Sequence, residues 1–382
     1  MKRKLRFHAL GVPHTITNTE YSACAYTQKV LKFCKMMTDE GHTVIHYGHE
    51  DSEVQCSEHV PVLTSKQFKA QYGNYDFKSK NFEYATDDSA YQEFYKNAIE
   101  EIGKRKQKND FVLPFWGHGV RPICDAHSDL IIVEPGIGYS NGSWAPYKVF
   151  ESYSIYHAWC GLKSSSRCQQ NNYEVVVPNY FDLDDFKYTE EKDKEDYFLF
   201  IGRVYDGKGV NIAMQVCEHL GLKLKVAGQC TDEYQNYKWP ENVEFVGYVN
   251  VEERKELMSK AKGCFIPSQY LEPFGGVMVE AHLSGIPTIT SDWGAFTANN
   301  INGVTGYRCR TFDDYLKAAV LVNEGAISSK TCREYGEKFS LKKVAKMYEK
   351  YFYDILNIYE NKGWYETDIP KVIQTVEADL IN

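Results

Sequence analysis

The run Ile201-Gly202-Arg203-Val204-Tyr205-Asp206-Gly207-Lys208-Gly209-Val210 sets an arginine and a lysine in a glycine-rich turn between an apolar strand and a helix. Arg203 offers a planar fork of donors and Lys208 a point charge, a combination that suits a diphosphate. The glycines let backbone approach the ligand. Two solvated cations beside an ordinary strand-to-helix turn is the competing reading of the same residues. A second run, Glu272-Pro273-Phe274-Gly275-Gly276-Val277-Met278-Val279-Glu280-Ala281, places Gly275 and Gly276 ahead of a helix whose free N–H groups suit an anion. Glu272 precedes that helix and Glu280 lies on it, and a carboxylate accepts hydrogen bonds from sugar hydroxyls. A helix-dipole carboxylate plus an exposed helical Glu explains the second run alone about as well.

These runs need elements to hold them. Hydrophobic periodicity predicts strands at Leu5–Leu10, Thr43–Tyr47, Val60–Leu63, Phe111–Trp116, Leu130–Val133 and Tyr173–Val177. Helices are predicted at Tyr21–Glu40, Ala90–Lys104 and Lys148–Trp159, with Lys66–Ser89 mostly loop. Asp182–Glu195 is almost wholly polar and reads as a solvated linker. The alternation then restarts, with strands at Tyr197–Ile201, Leu222–Ala227, Val243–Val249, Cys264–Ser268 and Pro287–Thr290. Helices fall at Val210–Leu220, Val251–Ala261, Gly276–Ser284, Asp313–Asn323 and Leu341–Ile358. Apolar runs without alternation suit buried parallel strands. The expected architecture is α/β: two doubly wound Rossmann-like domains facing a cleft, with ligands beyond the carboxyl ends of the strands.

Apolar residues make up 43% and charged residues 25%, which excludes a disordered chain or a rod. The apolar runs Leu130–Val133 and Val175–Val177 fall far short of the ~18 residues that span a bilayer. The opening MKRKLRF runs into polar sequence, so the expectation is a cytoplasmic protein with no transmembrane segment. Eleven scattered Cys without a CxxC pair support neither a disulfide framework nor a zinc ribbon. A net charge of −8 argues against a general nucleic-acid binder, while the local run Lys104-Arg105-Lys106-Gln107-Lys108 argues faintly for one.

Taken together the sequence resembles the retaining glycosyltransferases of the GT-B fold, most closely glycosyltransferase family 4. EPFGGVMVE resembles that family's E-x7-E motif, and GRVYDGKGV its G-R-x4-K-G donor loop. Val177-Pro178-Asn179-Tyr180-Phe181-Asp182 resembles its interdomain linker, with Tyr180 where Gly is usual. Phe339-Ser340-Leu341 followed by Val344-Ala345 resembles the start of its closing helix. The Tyr-rich and Cys-rich N-terminal half also looks like viral or phage sequence, which would put the protein in a host cytoplasm.

The resemblance implies an acceptor-side domain over 1–178, completed by C-terminal helices over about 345–382, and a donor domain over 179–344. It implies no resident cofactor or metal. The co-substrate is a nucleotide-diphosphate sugar, UDP-sugar by preference. Arg203, Lys208, Gly275 and Gly276 would hold its diphosphate; Glu280 its ribose; Glu272 and Phe274 the transferred sugar; Gly247 and Tyr248 the base. The loop Gly11-Val12-Pro13-His14-Thr15 would face the donor phosphates, or be an ordinary turn. Where the family commonly keeps a histidine after a strand, this chain has Glu134, and His118 is the nearest alternative. Both are candidates to orient the acceptor hydroxyl, with Glu272 the third residue of the catalytic set. The acceptor stays open among a glycan, a lipid, a small molecule and a hydroxymethylated DNA base; a non-enzymatic nucleotide-sugar binder is the remaining alternative. Asp182-Leu183-Asp184 has a metal-transferase spacing but lies in the linker, and His42, His46 and His49 fit no metal spacing.

Overall fold

The structure is a computed structural model that describes residues 3–74, 76, 78, 82–163 and 173–360. Two parallel sheets organise it. The first contains β1 (Arg6–Leu10), β2 (Thr43–His49), β3 (Glu58–Leu63), β4 (Phe111–Pro114), β5 (Ile131–Ile137), β6 (Tyr147–Phe150) and β7 (Glu174–Val176). Its strand order is β3-β2-β1-β4-β5-β6-β7. The second contains β8 (Phe198–Ile201), β9 (Leu224–Ala227), β10 (Val243–Gly247), β11 (Gly263–Ile266), β12 (Thr288–Ser291) and β13 (Gly306–Cys309), in the order β10-β9-β8-β11-β12-β13. Every strand pair is parallel. Central strands β4, β8 and β11 are buried along their whole length, as continuous apolar runs require when helices cover both faces.

In both sheets the order reverses beside the first strand, between β1 and β4 and between β8 and β11. Those switch points open crevices beyond the carboxyl ends of the strands. The chain crosses between domains twice, side by side. Phe181 N–H donates to the Phe339 carbonyl at 2.9 Å, and Leu341 N–H donates to the Phe181 carbonyl at 3.0 Å. The helix Leu341–Glu360 then returns to the first domain, where Val344, Tyr348, Phe352 and Ile355 join the core of Phe7, Phe33 and Phe111. A buried His42 Nε2 contact to Glu349 at 2.9 Å pins it further. Residues 361–382, part of the expected closing helices, lie outside the described residues.

Three local readings change. Tyr147–Phe150 is a strand, not the start of a helix; it pairs with β5 and β7, and the helix begins only at Tyr153, where Ser152 Oγ accepts from Ile155 N–H at 3.3 Å. Within Lys66–Ser89 a helix forms over Ser65–Tyr72, because Thr64 and Gln67 make a reciprocal capping box. β5 continues through Glu134-Pro135-Gly136 to Ile137 with a register shift, so Glu134 lies inside a strand instead of after one. No disulfide joins two of the ten described cysteines. No described helix is long and apolar enough to cross a membrane.

Candidate functional site

A cleft lies between the domains, with a cavity of ≈ 340 Å³. Arg203, Lys208, Tyr248, Gly276 and Glu280 line it from the second domain, and Ser22, Gln28, Lys29 and Lys32 from the first. Five lining residues are cations (Lys29, Lys32, Arg203, Lys208, Arg254) against the single acid Glu280. A chain of net charge −8 therefore concentrates positive charge where an anion would sit.

Most of that charge is already matched. Lys208 Nζ contacts Glu272 at 3.0 Å and 3.4 Å, and Ser268 Oγ donates to the same carboxylate at 3.0 Å. Arg254 lies 3.3 Å from Glu280. Lys29 Nζ, buried, donates to Glu151 at 2.6 Å and to the Gly136 carbonyl at 2.7 Å. Two cations are left less compensated. Arg203 is exposed, with its guanidinium 5.9 Å from the Tyr205 ring centroid, and makes no ion pair among the described residues. Lys32 lies 3.9 Å from Asp185, and burial pulls its ammonium below the usual lysine range although Glu280 and Asp185 oppose that.

Backbone geometry opens the floor of the cleft. Gly202 and Gly228 close β8 and β9 at φ +143° and +140°. A Cβ on Gly228 would collide with the Gly202 carbonyl, so the two strand ends approach as only glycine permits. Gly275, at φ +81°, precedes the helix Gly276–Leu283 without a side-chain cap, leaving its first N–H groups free for a ligand.

Other candidates are placed differently. Gly247 ends β10 at φ +83°, and its carbonyl accepts from Gly228 N–H at 2.8 Å. Tyr248 Oη lies 3.3 Å from Ser22 Oγ, across the cleft. The Phe274 side chain does not face the cleft: it is 2% exposed and packs on Phe181 and Phe339. Its carbonyl is taken by Asn299 at 3.2 Å. Gly11 uses its N–H on the Tyr47 carbonyl at 2.8 Å, and His14 is buried beneath aromatic rings. His118 is exposed on the turn Gly117–Val120 and is not part of the cleft lining.

Glu134 corrects the expectation most. Its carboxylate is fully buried and faces its own chain, not a ligand. Tyr139 hydroxyl donates to one oxygen; Ser143 Oγ at 3.2 Å, Trp144 N–H at 3.1 Å and Ala145 N–H at 3.3 Å donate to the other. Burial pushes its pKa up while these donors pull it back. The reason is β5 itself: continuing past Val133, it carries Glu134 inside, where the loop over 139–145 must satisfy it.

Sequence reasoning missed Arg254, Lys29 and Lys32. Lys29 and Lys32 are three apart on the helix Ala25–Asp39, flanking the apolar stripe that made the helix legible. Arg254 follows the Asn250–Glu253 capping box by one residue, a signal that fixes its helix but not its partner.

Two facing Rossmann-like domains with this cleft match solved GT-B glycosyltransferase structures. Sucrose-phosphate synthase from Thermosynechococcus elongatus superposes with a TM-score of 0.69 at 14% identity, covering 92% of this chain and 99% of that one. AviGT4, a glycosyltransferase involved in avilamycin A biosynthesis, gives 0.67 at 18% over 92% and 98%. HepE from Anabaena, in complex with UDP and glucose, gives 0.65 at 13% over 92% and 100%. At such identities the likeness is one of fold. In sequence, residues 182–339 match the family model described as glycosyl transferases group 1. Glycogen synthase from Mycobacterium tuberculosis is 33% identical over 126 residues, 30% of each chain. An uncharacterized glycosyltransferase from Methanocaldococcus jannaschii is 31% identical over 129 residues, 30% of this chain and 33% of its own. The sequence matches to these relatives thus span about a third of their length, and the family model falls on the second domain.

Proposed function

We propose that the protein is a glycosyltransferase that moves a sugar from a nucleotide-diphosphate sugar to an acceptor hydroxyl with retention at the anomeric carbon. The carrying observation is the convergence of Arg203, Lys208, the free start of helix Gly276–Leu283 and Glu280 on one cleft. A UDP-sugar is the preferred donor; HepE, which shares the fold, is described in complex with UDP-glucose.

The chemistry follows from where charge develops. As the bond from the anomeric carbon to the diphosphate oxygen breaks, the sugar gains oxocarbenium character and the leaving diphosphate gains negative charge. Arg203, Lys208 and the helix N–H groups stabilise that charge more in the transition state than in the ground state. Glu272, held by Lys208 and Ser268, accepts from sugar hydroxyls. The acceptor oxygen forms the new bond on the face the diphosphate leaves, and its proton passes to a diphosphate oxygen. The role asked of the first domain is therefore to position the acceptor. Protein cations supply the positive charge in this scheme, so turnover is expected to persist in excess chelator; loss in EDTA with recovery in Mg²⁺ would refute that part.

The DNA-modifying alternative gains nothing from its basic run. Lys104 pairs with Glu100 and Glu101, Arg105 with Glu58 and Lys106 with Asp129. Incubation with UDP-[14C]glucose and related donors tests the proposal: slow donor hydrolysis or transfer is expected. Binding of the whole donor panel without any turnover would instead mark a non-enzymatic binder.

A further inference from the structure

The first domain's switch point carries a continuous wall of aromatic rings that the donor site does not use. Tyr84 lies flat on His14, centroids 4.1 Å apart and planes 2° from parallel. Trp116 stands edge-on to Tyr84 at 5.5 Å and to Tyr26 at 4.8 Å, and Tyr26 meets Tyr139 at 5.9 Å. With one ring face covered by His14, Tyr84 is still 43% exposed. Position ties the wall to the cleft. Tyr26 lies between the cleft-lining residues Ala25 and Gln28 on the helix Ala25–Asp39.

One polar group is aimed from within this wall. Trp116 Nε1–H donates to Tyr91 Oη at 2.9 Å, and Tyr91 Oη lies 2.7 Å from His14 Nδ1. Tyr91 therefore gives its own proton to Nδ1, which leaves the imidazole hydrogen on Nε2. Burial keeps the ring neutral by lowering its pKa to about 3. His14 Nε2 has no hydrogen-bond partner among the described residues. The result is a neutral, oriented N–H donor beside an exposed aromatic face.

We propose that this wall is the acceptor subsite and that the acceptor is a saccharide, its ring stacked on Tyr84 and bordered by Trp116 while His14 Nε2–H donates to one of its oxygens. This rests on the donor-site reading above. Aromatic faces with a few fixed polar groups suit a ring that has an apolar C–H face and a hydroxyl rim. An acyl chain would make no use of the fixed donor. A DNA duplex would need uncompensated cations, and the cation next to the wall, Lys29, is matched by Glu151.

The test is saturation-transfer NMR on the full chain with UDP present, using methyl glucoside, galactoside, mannoside and N-acetylglucosaminide as probes. At least one glycoside should bind. Tyr84→Ala should weaken it about 5- to 10-fold, the scale of one lost ring contact, and Tyr84→Phe should restore it. With the active donor, Tyr84→Ala should raise acceptor KM with kcat nearly unchanged, and Tyr84→Phe should return KM to the wild-type value. Absence of signal from all four glycosides, wild-type affinity in Tyr84→Ala, or binding only of a hydroxymethylcytosine duplex or diacylglycerol would overturn the proposal. UDP calorimetry alongside reports the donor site independently, so failure of that reading shows as lost UDP binding with the glycoside signal intact.

Discussion

Arg203 and Lys208 are equivalent in the donor-loop motif but not in the structure, and that difference yields the sharpest test. Arg203 is exposed and has no ion pair among the described residues. Truncating it to Ala should cost the fold at most ~0.5 kcal/mol, as for an ordinary surface change. The same truncation removes a charge-assisted contact to diphosphate worth about 1.5–3 kcal/mol, so UDP should bind roughly 10- to 150-fold more weakly. Lys208→Ala should lose a similar amount of affinity and also stability. Its removal strips the Glu272 carboxylate, 9% exposed, of the ammonium at 3.0 Å and leaves only the neutral hydroxyls of Ser268 and Tyr270 as its described donors. Leaving such a group under-satisfied costs about 1–2 kcal/mol, or roughly 2–8 °C in Tm for a domain of this size. Calorimetry with UDP and thermal melts of both variants supply the two readouts. Adding Glu272→Gln to Lys208→Ala should recover most of the Tm but none of the affinity. Arg203→Ala binding UDP within twofold of wild type would refute the diphosphate assignment; equal Tm losses in both variants would refute the burial argument.

Gly228→Ala should destabilise the second domain by about 3 kcal/mol or more, since its Cβ would collide with the Gly202 carbonyl at φ +140°; near-native melting would refute the close strand approach. Lys194 donates to the Ser259 and Ser284 carbonyls at 2.8 Å and 3.1 Å, and burial lowers its pKa to about 8. The folded state therefore sheds this proton before the unfolded state does, and wild-type stability relative to Lys194→Met should rise from pH 8 toward 10; a flat difference across that range would contradict it. Glu134→Ala, which orphans the Trp144 and Ala145 N–H groups, should lower Tm by several degrees with UDP affinity unchanged, and Glu134→Gln should do so less. An intact Tm together with lost turnover in Glu134→Gln would return that carboxylate to the acceptor.

The residues of the proposed donor site can be read from sequence because they are close together in it. Arg203 and Lys208 are five residues apart in one turn, Glu272 and Glu280 eight apart across one helix start, and glycines mark both places. The strands carry Arg203, Lys208 and Glu280 to one cleft, with Glu272 held against Lys208. The proposed acceptor wall was less legible because its contacts are long-range: His14, the Tyr84–Tyr91 segment and Trp116 come from three separate stretches of chain. In composition they register only as an excess of Tyr, 29 in all, which has no local pattern to interpret.

Glu134 shows how an alignment of strand ends misleads when a strand runs on. Placed after Val133, it looks like a carboxylate delivered to the cleft. Three further residues of β5 change the direction in which the problem must be solved. A carboxylate inside a sheet cannot keep water, and the penalty is several kcal/mol unless donors replace it. The chain supplies them from the loop over 139–145, with two backbone N–H groups and two hydroxyls. Tyr139, fixed in this way, is also the last ring of the aromatic wall. The residue standing at the family's histidine position thus acts on the acceptor side at one remove, by holding the loop and the ring that border the subsite. On that arrangement, orientation of the acceptor falls to groups with a free hydrogen-bonding face there, and His14 Nε2–H is the one the tautomer chain through Tyr91 makes available.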